Sequence, residues 1–595
     1  MLNKLWPSIL AVSAASMLLV ACGGGKDETP ATSAPAPTVA QTSAPAPTSI
    51  PALTVVPTAP APGATGTVLD KAIFVSPIEN DNVRYGGTFR WPTNQSGGNL
   101  DPKLNNSTTI SRFWRYSYEK LVAWYPNPND PLSHLEPQLA EKWTASADFK
   151  TYTFNLRKGI KWHNVAPVNG RELVADDAIF SFNRYREKDA AASPNWTQVE
   201  SIEAPDKYTV VVKLKDPNAF APNELFGALE AVVPPELVKA SSTGVIGTDM
   251  IGTGPYILKS YIFRQGADFV RNPDYWRKDT KGNALPYTDA VKAIYINDPA
   301  TVQAAFRTAQ LDYADSLTRE QIVELGKQLP DMRVYHAGVL GANGIAFTSK
   351  NKPWDDVRVR RAFNMALDKK KFMDALGTPG LEWNIVGPIP WNLIEPRKAT
   401  MDDLGPYYKY NPQESKKLLI EAGFPDGKIK VPTPLVFINP SNLQAAQVIQ
   451  ELWKNEGIEL PIQGLPLAEF ALPYYARKFT DLAYTYQNTG ESSLNWYAQN
   501  KFNPEGSENT AWINDPEINR LIKEIKTTTD PVKLREYARF FWDFETKNSY
   551  NIWVPQAPGY YVTTGKVRNH TARSNHQFIG MAILPWLADA PRTAP

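Results

Sequence analysis

The stretch TYTFNLRKGIKWH runs from Thr151 to His163. Thr151 to Leu156 alternates polar and apolar residues, the period of a half-buried strand, and Lys158-Gly159 follows as a turn. Next comes Ala175 to Tyr185, with aliphatic and aromatic residues at helical spacing and Asp176 and Asp177 in its first turn. Tyr208 to Leu214 then reads as a second strand. Outward from this strand–helix–strand block the alternation continues. Gly87 to Trp91 reads as a strand ended by Pro92. Asp355 to Met373 reads as a helix with basic residues on one face and Val, Ala, Phe and Leu on the other. Pro412 to Ala422 is a helix capped by Gly423, and Gln444 to Asn455 is a helix ending before Gly457. Strands and helices alternating in this way predict an α/β fold. No repeat of solenoid period is present.

The chain has 595 residues, enough for about four domain-sized units or fewer large ones. Its 63 basic and 61 acidic residues leave a net charge of +2, which removes the electrostatic case for a nucleic-acid partner. One Cys excludes a disulfide framework and any multi-cysteine metal site, and five scattered His argue against a histidine-rich one. The 51 Pro and 17 Trp are unusually many.

The single Cys is Cys22. Lys4 gives a short basic start, Leu5 to Val20 is mostly apolar, and Leu19-Val20-Ala21-Cys22 closes the run. The run suits a signal h-region better than a spanning helix of about 20 residues. A small residue directly before Cys resembles the bacterial lipobox, which implies cleavage after residue 21 and lipid on Cys22. Thr29 to Val68 holds no charged residue, is rich in Pro, Ala, Thr and Ser, and contains SAPAPT twice, at 33–38 and 43–48. It reads as an extended tether reaching on the order of 100 Å.

Nucleotide and hydrolase signatures are absent: no GxxxxGK[ST], HExxH or GxSxG occurs, and Gly252-Thr-Gly254-Pro-Tyr256 lacks the third glycine of a dinucleotide fingerprint. Asp176-Asp177 and Asp355-Asp356 diverge at neighbouring helical positions, so they suit helix N-termini better than proton sharing. His163 reads as a hydrogen-bonded or surface residue.

In order along the chain stand Leu100-Asp101-Pro102, Tyr118 to Val122, Glu136 to Trp143, Tyr152 to His163, Val174 to Ala178, Gly252 to Tyr256, Arg271 to Trp276, Pro353 to Phe363 with Ala366-Leu-Asp368, and Tyr410-Asn-Pro412. Together they resemble the extracellular solute-binding protein family 5, the oligopeptide- and dipeptide-binding proteins of ABC importers, over residues 83 to 570. The resemblance implies a two-lobed, periplasmic-binding-protein-like clamp of type II with an extra domain in lobe I. The implied division is a signal peptide (1–21), lipidated Cys and tether (22–70), lobe I (71–120), the extra domain (121–220), lobe I again (221–339), lobe II (340–555) and a return to lobe I (556–595). The resemblance implies no enzyme and no cofactor. It implies a monomer anchored in the periplasmic space or on the outer face of the cytoplasmic membrane, with a peptide or other small solute, an ABC permease and its ATPase subunits as partners. Asp148, Arg157 and Asp177 are expected to serve the fold.

Family binding positions fall on Trp91 and Asn94 after the first strand, on Trp383 and Trp391, and on Tyr486, Gln487 and Asn488 with Trp496. Aromatic walls with few polar groups suit a cleft that excludes water. Peptide-binding members place an Asp where Asn488 stands, and that Asp pairs with the peptide amino terminus. Asn carries no charge for such a pair. A neutral oligosaccharide is the alternative solute. A secreted hydrolase with a nonstandard site and a ligandless surface lipoprotein are rivals from other classes.

Overall fold

The computed structural model describes residues 68–72, 82–94, 99–104, 110–125, 134–191, 193–227, 230–315, 317–337, 341–376, 384–395, 399–437, 442–466, 469–470, 473–474, 478–479, 482–488, 493–557, 559–570, 585–590 and 592–593. The lipobox and nearly all of the tether lie outside them.

Thr151–Leu156 is the strand its alternation predicts: Tyr152, Phe154 and Leu156 are buried, and the residues between them are half-buried. It lies in a four-stranded antiparallel sheet with Ala140–Ala145, Thr209–Leu214 and Val199–Asp206. The helix Ala175–Tyr185 covers that sheet, and the rings of Phe154, Phe182, Trp196 and Phe226 interlock at 4.7–5.7 Å. Burying each such ring stabilises the fold by about 2–3 kcal/mol.

A second four-stranded sheet has the order Thr88–Thr93, Ala290–Tyr295, Gly266–Arg271, Tyr256–Ile262. Only its first pair is parallel, with Trp91 opposite Ala293. Pro92 does not end the first strand, which continues to Thr93. The strand is at the edge of its sheet, where a missing N–H is tolerated.

A third sheet sets Tyr313–Ala314 and Arg333–Ala337 on either side of Gly559–Thr563. A fourth, five-stranded, runs Ile462–Gly464, Leu435–Phe437, Leu482–Asn488, Gly341–Ala346, Asn551–Trp553. The chain therefore passes between these two sheets twice, from Arg333–Ala337 to Gly341–Ala346 and from Asn551–Trp553 to Gly559–Thr563, on strands that neighbour each other in both sheets.

Where one helix is expected over Asp355 to Met373, there are two, Val357–Ala366 and Lys369–Ala375. Asp368 breaks the run: its carboxylate accepts from Lys371 N–H as the N-cap of the second helix. Pro412–Glu421 and Leu443–Asn455 complete the layer against the five-stranded sheet, around Phe363, Trp354 and Trp453. A separate helical core gathers Trp391, Phe502, Phe541, Trp542 and Trp553.

Candidate functional site

The conspicuous polar residues of the sequence are stitched to one another inside the fold. Asp101, fully buried, accepts from Arg184 Nη2 at 2.5 Å and from the N–H groups of Lys103 and Ile246. Asp177 accepts two bonds from Arg171 at 2.7 and 2.8 Å and a third from Trp162 Nε1. His163 is buried with Nε2 3.0 Å from Gly254 O, while Gly252 N–H donates to Nδ1. Burial pushes the His163 imidazole down to about 4, so it is neutral at physiological pH. Glu119 accepts from Trp276 Nε1, Thr253 Oγ1, Tyr275 Oη and Gln138 Nε2, while burial pushes its carboxyl upward. Arg157 donates to Gln138 O and lies over the Trp276 ring, and Asp148 accepts from Ser146 and Lys150 N–H. A Cβ on Gly252 would come 1.8 Å from Ser117 O, so this position admits no side chain. Apart from Asp148, which is exposed and bonded within its own turn, these groups are held by protein partners and tie separate segments together.

The two passages between sheets bring different residues together. The strand Leu482–Asn488 pairs with Gly341–Ala346 so that Tyr486, Gln487 and Asn488 stand opposite Asn343, Ala342 and Gly341, directly after the first passage. The side chains of these three residues lie outside the described part. On the second passage Gln556 exchanges two backbone bonds with Asn384 at 3.0 Å, and Gln556 Nε2 donates to Val554 O. Trp383 lies outside the described residues. Asn384, which follows it in the chain, and Gln556 carry no local sequence signal that would single them out.

Of the other expected residues, Trp391 and Trp496 share one helical core, and Trp91 packs in a different one. Trp91 is buried against Phe113 and Tyr116, with ring centroids at 5.7 and 6.3 Å. Asn94 is exposed just past the end of its strand. Trp391 is 7% exposed, edge-on to Trp542 at 4.7 Å and under the Arg539 guanidinium at 4.5 Å. Trp496 is half-buried on the short helix Leu494–Tyr497.

Beside the passages lies a basic and aromatic layer with no local motif. Arg112 Nη1 donates to Asp315 at 2.9 Å, His570 stacks on Tyr313 at 5.0 Å, and Tyr335 stacks on Tyr561 at 5.5 Å. Burial pushes the Arg115 guanidinium down to about 10 and the His570 imidazole down to about 3. Trp91 Nε1, Tyr335 Oη and His570 Nδ1 are buried with no hydrogen-bond partner among the described residues. Among those residues no group of three or more His, Cys, Asp or Glu is placed to hold a metal ion.

Residues 134–513 match the model of the bacterial extracellular solute-binding proteins, family 5 middle region. The chain belongs to that family. Heme-binding protein A of Haemophilus influenzae is 27% identical over 396 residues, 62% of this chain and 69% of the relative. The periplasmic oligopeptide-binding protein OppA of the same organism is 28% identical over 446 residues, 69% of this chain and 78% of the relative. The solved structure of the periplasmic binding protein DppA from Helicobacter pylori with the peptide STSA superposes with a TM-score of 0.70 at 20% identity, over 85% of this chain and 99% of that one. The family-5 chain thus has the two-lobed type II fold of periplasmic binding proteins, and it is an extracytoplasmic solute-binding protein, not an enzyme.

Proposed function

We propose that this chain is the solute-capturing subunit of an ABC importer, that it takes a peptide-like solute between its lobes, and that it hands that solute to a membrane permease driven by ATPase subunits. The two crossings, from Arg333–Ala337 to Gly341–Ala346 and from Asn551–Trp553 to Gly559–Thr563, act as the hinge, dividing lobe I from lobe II. The observation that carries this reading is the pairing of Tyr486–Asn488 with the strand that leaves the first passage. That pairing supports a solute wall beside the hinge, where a small rotation would open or close the cleft. Trp91, Asn94, Trp383 and Trp496 are proposed as further contacts. Trp391, held between Trp542 and Arg539, is the weakest member of the set. Peptide is favoured because relatives such as OppA are oligopeptide-binding proteins by name. Lipid on Cys22 anchors the protein, and the charge-free segment 29–68 lets the folded body work away from the membrane.

The test is mass spectrometry of whatever leaves the purified protein on denaturation, after incubation with peptide and glycan pools. Peptides returned intact are the expected result. A neutral glycan would replace the peptide reading with the oligosaccharide one, and cleaved products would overturn capture without chemistry.

A further inference from the structure

Lobe I and lobe II also meet away from the hinge. Phe220, just past the strand Thr209–Leu214, packs against the helical core of Phe502, Phe541 and Trp542. Ala219 N–H donates to Lys526 O at 2.8 Å. Glu224 Oε1 accepts from Asn495 Nδ2 at 2.8 Å, and Oε2 accepts from Asn218 Nδ2 at 3.0 Å. Ser493 and Asn495 are both buried. Ser493 caps the helix Leu494–Tyr497, its hydroxyl accepting from Trp496 N–H, and Asn495 sits in the first turn. One carboxylate from lobe I thus grips the start of the lobe II helix that carries Trp496.

We propose that Glu224 is a positioning residue for solute capture, docking the Leu494–Tyr497 helix onto the Ala219–Phe226 segment and so tying Trp496 to the closed arrangement of the lobes. This rests on the reading of the chain as a clamp that closes over its solute. Burial raises the carboxyl against the donors that hold it ionised, so desolvation and hydrogen bonding oppose each other. Phe220 adds apolar contact that is lost on opening. A residue that stabilises the closed arrangement raises apparent affinity without touching solute, because the solute-bound clamp is the closed one.

The test uses the full chain in a Cys22→Ser background, which removes its only thiol. Dyes go on Ile262→Cys in lobe I and Lys430→Cys in lobe II, both at exposed positions. Without solute, single-molecule energy transfer should show a smaller closed fraction in Glu224→Ala and Phe220→Ala. Asn495→Ala, which approaches the contact from the other lobe, should match Glu224→Ala. Glu224→Gln, which keeps an acceptor for Asn495, should restore closure. A mixed tetrapeptide pool should then bind Glu224→Ala about tenfold more weakly, mainly through a faster dissociation rate. Distances unchanged in Glu224→Ala and Asn495→Ala would overturn the proposal, as would Glu224→Gln behaving like Glu224→Ala. Closure that depends on Glu224 in a protein that binds no peptide would keep the positioning role and remove the peptide reading instead.

Discussion

Lys369 is buried at the start of the helix Lys369–Ala375, donating to Asn364 O at 3.0 Å and Asn364 Oδ1 at 2.9 Å, above the Tyr408 ring. Burial pushes its ammonium down to about 7, from 10.5 in the unfolded chain. Between those values the unfolded state holds a proton that the native state has lost. This group's contribution therefore stabilises the fold more as pH rises from 7 to 10.5, and is least favourable below 7. Urea unfolding of wild type and Lys369→Met across that window should differ by a term climbing roughly 1.4 kcal/mol per pH unit in favour of wild type. Parallel curves would show the ammonium still charged in the fold. A second residue-scale expectation concerns Asn488, opposite Gly341 in the paired strands. With no charge there to reward a free amino terminus, acetylating a bound peptide should weaken it less than about tenfold, or about 1.4 kcal/mol. Asn488→Asp should shift preference toward free amines. Calorimetry with paired peptides decides this, and a hundredfold loss in wild type would mean that another carboxylate does the pairing.

Among the elements, Gly252 and Gly423 separate two reasons for glycine. Gly423 closes Pro412–Glu421 at φ +100° with nothing within 4 Å of a built Cβ, so Gly423→Ala should lose only about 1–2 kcal/mol from backbone strain. At Gly252 the obstacle is the backbone oxygen of Ser117, which cannot rotate away, and Gly252→Ala should lose about 3 kcal/mol or more. Denaturation midpoints measured side by side test this, and equal losses would remove the close-approach argument. The same scale shows what the sequence could reveal. The strand Thr151–Leu156 and the helix Ala175–Tyr185 were legible because one face of each is buried, so burial period and structural period coincide. The break at Asp368 was hidden because Lys369, Lys370 and Lys371 are good helix formers whether the helix continues or restarts. Tryptophans were ambiguous because a core and a solute wall select the same side chain, and Trp91 and Trp391 both pack against other rings. The bond from Asn495 to Glu224 spans 271 positions, and no local pattern reports it.

For the whole molecule, function depends on where the body is held and on how its lobes move. Cys22→Ser should give a folded protein released from the membrane fraction, since acyl chains on that thiol and on the new amino terminus are the proposed anchor. Equal pelleting of variant and wild type would discard the anchor. Lobe movement carries the last expectation. A solute that touches both lobes binds the closed arrangement preferentially, so it shifts the population toward it. At a hundredfold excess over its Kd such a solute adds about 2.7 kcal/mol of stability. In a chain of this size that corresponds to a rise of a few degrees in melting temperature. The radius of gyration should fall at the same solute concentration, because hinge closure removes the open conformers from the average. Compaction should saturate with a midpoint at the calorimetric Kd, while the melting temperature goes on rising with the logarithm of solute concentration above it. A rise in melting temperature without compaction would locate the solute within one lobe, and a tight solute that changes neither would remove the two-lobe capture mechanism.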